Sequence, residues 1–215
     1  TIFAYRSKII LSSFFSKMWE VKHQSVGCPA SSYVTINFDP TLINKTPIKL
    51  EWYDGGLRPS YPSLIPSDTY LGGKRNTNGV MMIGEEGIIT TNVYGQNPRL
   101  FTKDKEVISP KIKNLPKDDW GHQRMWIDAI KDGYGSPKHK MLTSSFDYAG
   151  PMTETVLMGN IAIRSYLLNT NGNPDSVRIT GKNKNSYYGR RKMTWDGENM
   201  KITNFEDANQ FVGRS

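Results

Sequence analysis

The chain is predicted to be an α+β protein: an open, mostly antiparallel β-sheet with a few helices packed on one face. Three observations lead there. Runs of alternating apolar and polar residues crowd the first half, helical periodicity begins only after Pro116, and strands and helices come in blocks. Alternation of strand and helix would signal a parallel sheet, whereas blocks signal α+β.

The first third reads as strands. Ile2–Ile10 is β-branched and aromatic, with Ser7-Lys8 breaking its alternation, and Met18–Lys22 is a weaker candidate. Tyr33–Phe38 and Ile48–Tyr53 alternate cleanly, and the short Asp39–Pro47 connection suggests an antiparallel pair. Asp54-Gly55-Gly56 ends the second strand and opens a long proline-bearing loop through Pro59, Pro62, Pro66, Gly72 and Gly73. Long loops without regular structure are uncommon in compact domains and are often functional. Strands resume at Gly79–Gly84 and Ile88–Val93, joined by Glu85-Glu86-Gly87, where Gly87 is expected to supply a positive φ.

Helices follow. His122–Lys131 places Met125, Trp126, Ala129 and Ile130 on one face and Arg124 and Asp128 outside, with Gly133 as its stop. A long helix is expected over about Ala149–Leu168, with Pro151 in its first turn and Asn171-Gly172 beyond its end. Its buried stripe is predicted as Met152, Thr155, Val156, Gly159, Ala162, Ile163 and Tyr166, with Asp147 as cap and Tyr148 as a packing residue. Val177–Thr180 and Tyr187–Trp195 read as late strands, and Asn204 is expected to cap a last helix over Phe205–Val212. No internal repeat or low-complexity tract is evident.

Composition narrows the function classes. No apolar run approaches the roughly 20 residues that span a bilayer, so no membrane association is expected. The chain opens on Thr1 rather than methionine and is expected to be a processed or excised piece, its export signal, if any, lying upstream. The lone Cys28, before Pro29, rules out an internal disulfide and reads as a buried structural thiol. The net charge of +8 gathers in Lys103–Lys117, Lys138–Lys140 and Lys182–Lys192, the last holding Tyr187 and Tyr188. Basic residues mixed with aromatics can bind nucleic acid. A solvated loop is the preferred reading, because no nucleic-acid module can be read in the chain. His23 and His139 have no metal-ligand neighbours at useful spacing and are expected at the surface.

Four phrases carry a family resemblance. They are Leu50–Pro59; Gly84-Glu85-Glu86-Gly87 with Tyr94–Leu100; Phe146–Asn160; and Trp195–Asn204. In order and wording they resemble the C-terminal domain of the Gfo/Idh/MocA oxidoreductases, in particular a bacterial, Bacteroides-type exported branch. The resemblance implies a single domain over residues 1–215, with residues 1–24 a poorly matched lead-in and 171–192 a lengthened connection. It further implies an NAD- or NADP-dependent dehydrogenase acting on a sugar, inositol or related polyol. In that family an N-terminal Rossmann domain holds the dinucleotide, while the C-terminal domain completes the substrate pocket and forms homo-oligomer contacts through its open sheet face. An exported, periplasmic location is favoured over the cytoplasm.

The chain departs from the family's catalytic half. It has no Gly-x-Gly-x-x-Gly between strand and helix to hold a pyrophosphate, no Glu-Lys-Pro, and no family Gly-x-His. Asp118-Asp119-Trp120-Gly121-His122 repeats the family's aspartate–histidine spacing, but it leads into a helix, and His122 is read as a helix residue. Hydride transfer needs a positioned nicotinamide. The fragment is therefore expected to bind no cofactor and to be inactive without the missing Rossmann domain; no residue is assigned a catalytic role, and none a metal.

Substrate contacts are sought in two loops. Trp52 and Tyr53 can stack on a sugar's C–H face while Asp54 and Arg58 bond hydroxyls; Tyr94, Asn97 and Arg99 form a second polar-aromatic group. The plainer alternative makes Trp52 core, Asp54 a turn cap and Arg99 a partner for a carboxylate. Two other functions remain open: a non-catalytic carbohydrate-binding or assembly module of the same fold, and a basic nucleic-acid binder.

Overall fold

A computed structural model describes residues 6–11, 29, 31–42, 44–71, 78–104, 106–108, 121–166, 168 and 191–213, with the backbone alone at 6–11 and 106–108. The candidate strands at Met18–Lys22 and Val177–Thr180, together with Cys28, His23, Gly72-Gly73, Asp118–Trp120, Asn171-Gly172 and the Lys182–Arg190 basic run, lie outside those residues. The chain is α+β, with antiparallel sheets and helices, as its pattern predicts. It divides into two compact units: Thr1–Arg58 with Leu142–Ser215, and Pro59–Met141.

The first unit holds a five-stranded antiparallel sheet in the order β3-β2-β1-β8-β9. Its strands are β1 (Arg6–Leu11), β2 (Tyr33–Phe38), β3 (Ile48–Tyr53), β8 (Lys192–Asp196) and β9 (Lys201–Ile202). β2 and β3 pair as expected, Tyr33 opposite Tyr53 and Phe38 opposite Ile48. Because side chains alternate along a strand, Val34 and Ile36 of β2 and Met193 and Trp195 of β8 share one face. There they pack with Ile202, Phe205 and Ala208 against Met158, Ile161 and Ala162 of helix α3 (Phe146–Ser165) and against Tyr166, its C-cap.

Trp195 is the largest side chain in that core and is only 2% exposed. A buried indole N–H needs a partner, and Glu154 of α3 supplies one, accepting from Nε1 at 2.6 Å. This bond joins the helix to the sheet at a single rotational setting.

Helix α3 corrects the sequence expectation in three ways. It starts at Phe146, after Ser145, so Pro151 lies inside the helix and not in its first turn. Asp147 is not the cap and Tyr148 is exposed rather than packed. Of the predicted stripe Ala162 and Tyr166 are buried, but Met152 and Val156 face solvent, and Met158, Ile161 and Ser165 are buried in their place. The physical reason is that apolar residues occur all round this helix, so periodicity alone does not choose the buried side. Packing on β1, β2 and the Glu206–Phe211 turn chooses it.

Asn204 is likewise corrected. The last helix is a 3-10 turn over Glu206–Phe211 with Phe205 at its N-cap. The Asn204 side chain instead accepts from Thr194 N–H at 2.8 Å and donates to the Lys192 carbonyl at 3.0 Å. Its amide carries the same donor and acceptor as a peptide group and continues the β8 ladder.

The second unit holds a four-stranded antiparallel sheet in chain order: β4 (Gly79–Ile83), β5 (Ile88–Asn92), β6 (Arg99–Phe101) and β7 (Glu106–Ile108). Ile65, Ile88 and Phe101 form its small core, with Tyr61, Leu64 and Met81 packed around them. The β4–β5 hairpin turns at Glu85-Glu86, but Gly87 does not take the expected positive φ. Its role is close approach: a Cβ there would stand 2.7 Å from the Phe101 carbonyl oxygen of β6.

Helix α1 (Gly121–Asp132) ends at Gly133 as expected, and His122 is an exposed residue of its first turn. Of its predicted apolar face, Ala129 is buried, whereas Trp126 and Ile130 are exposed. Its principal described neighbour is α2 (Pro137–Lys140), four residues long and too short to cover that face. Helix α2 escaped the sequence reading. Ser136 caps it by accepting from His139 N–H, and His139 is half-buried against Tyr134 rather than free at the surface.

Two stability measurements check this account. Trp195→Phe is expected to lower the unfolding free energy by about 3 kcal/mol, combining a cavity with a stranded acceptor. Adding Glu154→Leu should recover part of that loss. In β5 the fully buried Thr90 hydroxyl has no hydrogen-bond partner. Thr90→Val, of equal shape, is expected to be neutral or stabilising by about 1 kcal/mol in denaturant titration.

Candidate functional site

The first candidate group sits at the end of β3. Trp52 and Tyr53 are successive strand residues, so their rings leave opposite faces of the sheet and cannot form one stacking platform. The expectation of an aromatic pair on one sugar face is corrected accordingly. Trp52 lies opposite Val34 and is 61% exposed, so it is not the core residue of the plainer alternative. Tyr53 stacks on Tyr33, its cross-strand neighbour, with ring centroids 4.7 Å apart.

Beside that ring pair runs a polar network that sequence reasoning missed. Lys49, Glu51 and Tyr53 share one face of β3 by alternation. Lys49 Nζ lies 2.6 Å from Glu51 Oε1, and the Tyr33 hydroxyl donates to the same carboxylate oxygen. Lys49 first, then Tyr33, holds the Glu51 carboxyl below its ordinary value of 4.5. Partial burial, the Tyr33 hydrogen bond and the Glu51 charge push Tyr53 up to about 12. The spacing Lys-x-Glu-x-Tyr was visible in the sequence; the part of Tyr33 depends on the cross-strand register.

Asp54 begins a tight turn. Its Oδ1 accepts from Gly55 N–H at 2.7 Å, and Leu57 N–H donates to its carbonyl at 3.3 Å. Gly55 and Gly56 have φ of 64° and 89°, the pair that a type I′ turn requires and that side chains resist. Asp54 thus does serve as a turn residue. Arg58 follows the turn and is exposed.

The second group lies on the β5–β6 connection of the other unit. Asn92, also missed, organises it: its Oδ1 accepts from Tyr94 N–H at 2.9 Å and Gln96 N–H at 2.8 Å. Tyr94 is 83% exposed, and Asn97 takes a left-handed backbone with φ 51°. Arg99 points back, donating to the Tyr70 carbonyl at 2.9 Å and lying over the Phe101 ring. An arginine held by a backbone carbonyl and a ring anchors the loop. Tyr94 and Asn97 are the members left facing solvent.

Among the described residues no cluster of three potential ligands could hold a metal ion, and no helix is long and apolar enough to cross a membrane. No protein-family model matches the chain, and no curated protein matches it significantly.

The network sets a pH dependence. Glu51 titrates below its ordinary value when folded, so its contribution is present above 4.5 and is lost as pH falls through the folded value. Tyr53 titrates above its ordinary 10.0, so its contribution holds below pH 10 and is lost as pH climbs toward 12. Absorbance titration of the native protein should show a tyrosine ionising near 12 that disappears in Tyr53→Phe. Glu51→Gln should flatten the acid limb of stability against pH, an effect within about 1 kcal/mol for so exposed a pair.

Proposed function

We propose that the chain is the C-terminal, substrate-covering part of an NAD(P)-dependent oxidoreductase acting on a sugar, inositol or related polyol. The reading rests on the four ordered phrases and on one structural observation: Trp52 is an exposed ring two residues before the Asp54–Leu57 turn, which the exposed Arg58 follows in the chain. Sugars present C–H faces that stack on such rings, while hydroxyls take hydrogen bonds from charged and turn groups. Tyr94 and Asn97 are the second set on offer. The nicotinamide and its reaction belong to an N-terminal Rossmann domain that this chain does not supply, so this chain alone does not turn over.

Assembly through an open sheet face belongs to the same reading. The four-stranded sheet has a face suited to it, since Val80, Met82 and Ile89 are exposed on the side away from the Ile65–Ile88–Phe101 core. Trp52 favours one second reading equally, a carbohydrate-binding module with no redox partner. The sequence upstream of Thr1 separates the two: a Gly-x-Gly-x-x-Gly unit followed by Glu-Lys-Pro supports the oxidoreductase, and its absence supports the module.

The binding claim is tested by titrating the chain with sugars and inositols by calorimetry. A member of that panel should bind, and Trp52→Ala should weaken it about tenfold, a loss of about 1.4 kcal/mol. NAD and NADP should not bind. Tight dinucleotide binding by this chain, or sugar binding indifferent to Trp52→Ala, would contradict the proposal.

A further inference from the structure

The two edges of the five-stranded sheet are finished differently. At β9 the Asn209 side chain accepts from Ile202 N–H at 2.7 Å and donates to the Ile202 carbonyl at 3.0 Å, closing that edge. At β3 no described strand pairs with the outer side. An unpaired strand edge is a template for another strand. This one is six residues long, with Ile48 51% and Trp52 61% exposed along it.

Which groups it offers follows from the ladder. Asp54 N–H donates to the Ser32 carbonyl at 2.9 Å, in the same register that sets Tyr53 opposite Tyr33. Hydrogen-bonded pairs alternate in an antiparallel ladder, so Trp52, Leu50 and Ile48 bond to β2. The N–H and C=O groups of Lys49, Glu51 and Tyr53 therefore point outward.

We propose that β3 pairs antiparallel with β3 of a second copy of this chain, with Leu50 on the two-fold axis, joining two five-stranded sheets into one ten-stranded sheet. Charge complementarity selects both occupant and register. With Leu50 opposite Leu50, Lys49 faces Glu51 of the second copy, and Glu51 faces its Lys49. Ile48 faces Trp52 on the other side of the sheet. Outward bonding groups fall on odd-numbered residues, so the register shifts only in steps that keep them paired. The neighbouring symmetric registers set Lys49 against Lys49 or Glu51 against Glu51, and like charges directly opposite are destabilising.

A lysine on an edge ordinarily repels pairing. Here Glu51 already neutralises Lys49 within the strand, and the same two charges continue across the axis as an alternating row. Pro47 closes the ladder at each end, because it offers a carbonyl to Tyr53 but no N–H. The Asp54–Leu57 turn and Arg58 fall beyond the paired segment, and one flank of Trp52 is covered by Ile48 of the second copy. The inference concerns an edge that adjoins Trp52 and does not depend on the proposed chemistry.

Cysteine cross-linking tests it. Residues meeting on the axis are a non-hydrogen-bonded pair about 4.5 Å apart between Cα atoms, within disulfide reach. In a Cys28→Ser background, Leu50→Cys should form a disulfide-linked dimer on mild oxidation, and Ile48→Cys and Trp52→Cys should not, since each faces a different residue. Sedimentation supplies the second arm. Lys49→Glu or Glu51→Lys alone should weaken the dimer about tenfold or more, and the double exchange should restore it. A chain that stays monomeric, a cross-link at Ile48 or Trp52 but not at Leu50, or a dimer indifferent to single charge reversal would each overturn the proposal.

Discussion

The hydrogen bond from the Trp195 indole to Glu154, inside the apolar contact between β8 and α3, is the constraint on which the first unit depends. Trp195 stands on a strand paired directly with β1, and β1 in turn carries β2 and β3. With α3 fixed on that sheet, Val34 and Ile36 of β2 and Met193 and Trp195 of β8 are buried beneath it. The helix has apolar residues on several sides, and its packing on β1, β2 and the last 3-10 turn makes one of them the inside. With that side chosen, alternation follows outward: Val34 and Ile36 go in, Tyr33 and Thr35 go to the opposite face, and β3 keeps the alternation while Ile48 and Trp52 stay exposed.

What the sheet then offers is set by alternation more than by residue identity. Trp52 and Tyr53 are adjacent in the chain yet separated by the sheet, so one is an open ring and the other half of a tyrosine pair above a lysine–glutamate pair. Side-chain amides do similar work at three places. Asn204 extends the β8 ladder, Asn209 closes the β9 edge, and Asn92 folds the β5–β6 loop. Each substitutes a peptide-like group where the backbone runs out of partners.

Strands β2 and β3 were legible to the residue because their alternation is clean and the connection between them is short. Helix α3 was legible as a helix but not in its start, and its buried side only in part, at Ala162, Ile163 and Tyr166. Ser145 precedes it without a side-chain cap bond, and Pro151 points to a start several residues too late. The division into two units had no local marker, since Pro59 is one of several prolines in one loop. At the candidate site Trp52, Asp54 and Tyr94 could be named from residue type. Tyr33 and Asn92 could not, because their parts depend on register and on a turn's internal bonds, whereas Glu51 stood in a legible Lys-x-Glu-x-Tyr spacing that went unread.

Native-state hydrogen exchange measured at low protein concentration reads the central claim most directly, that α3, tied to β8 by the Trp195–Glu154 bond, fixes the sheet and leaves β3 as its uncovered edge. The amides of β8 and of Met158–Ser165 should exchange together and slowest. Along β3 they should alternate, Leu50 and Trp52 slow and Lys49 and Glu51 fast. Rapid exchange throughout α3, or equal protection at all four β3 amides, would contradict it.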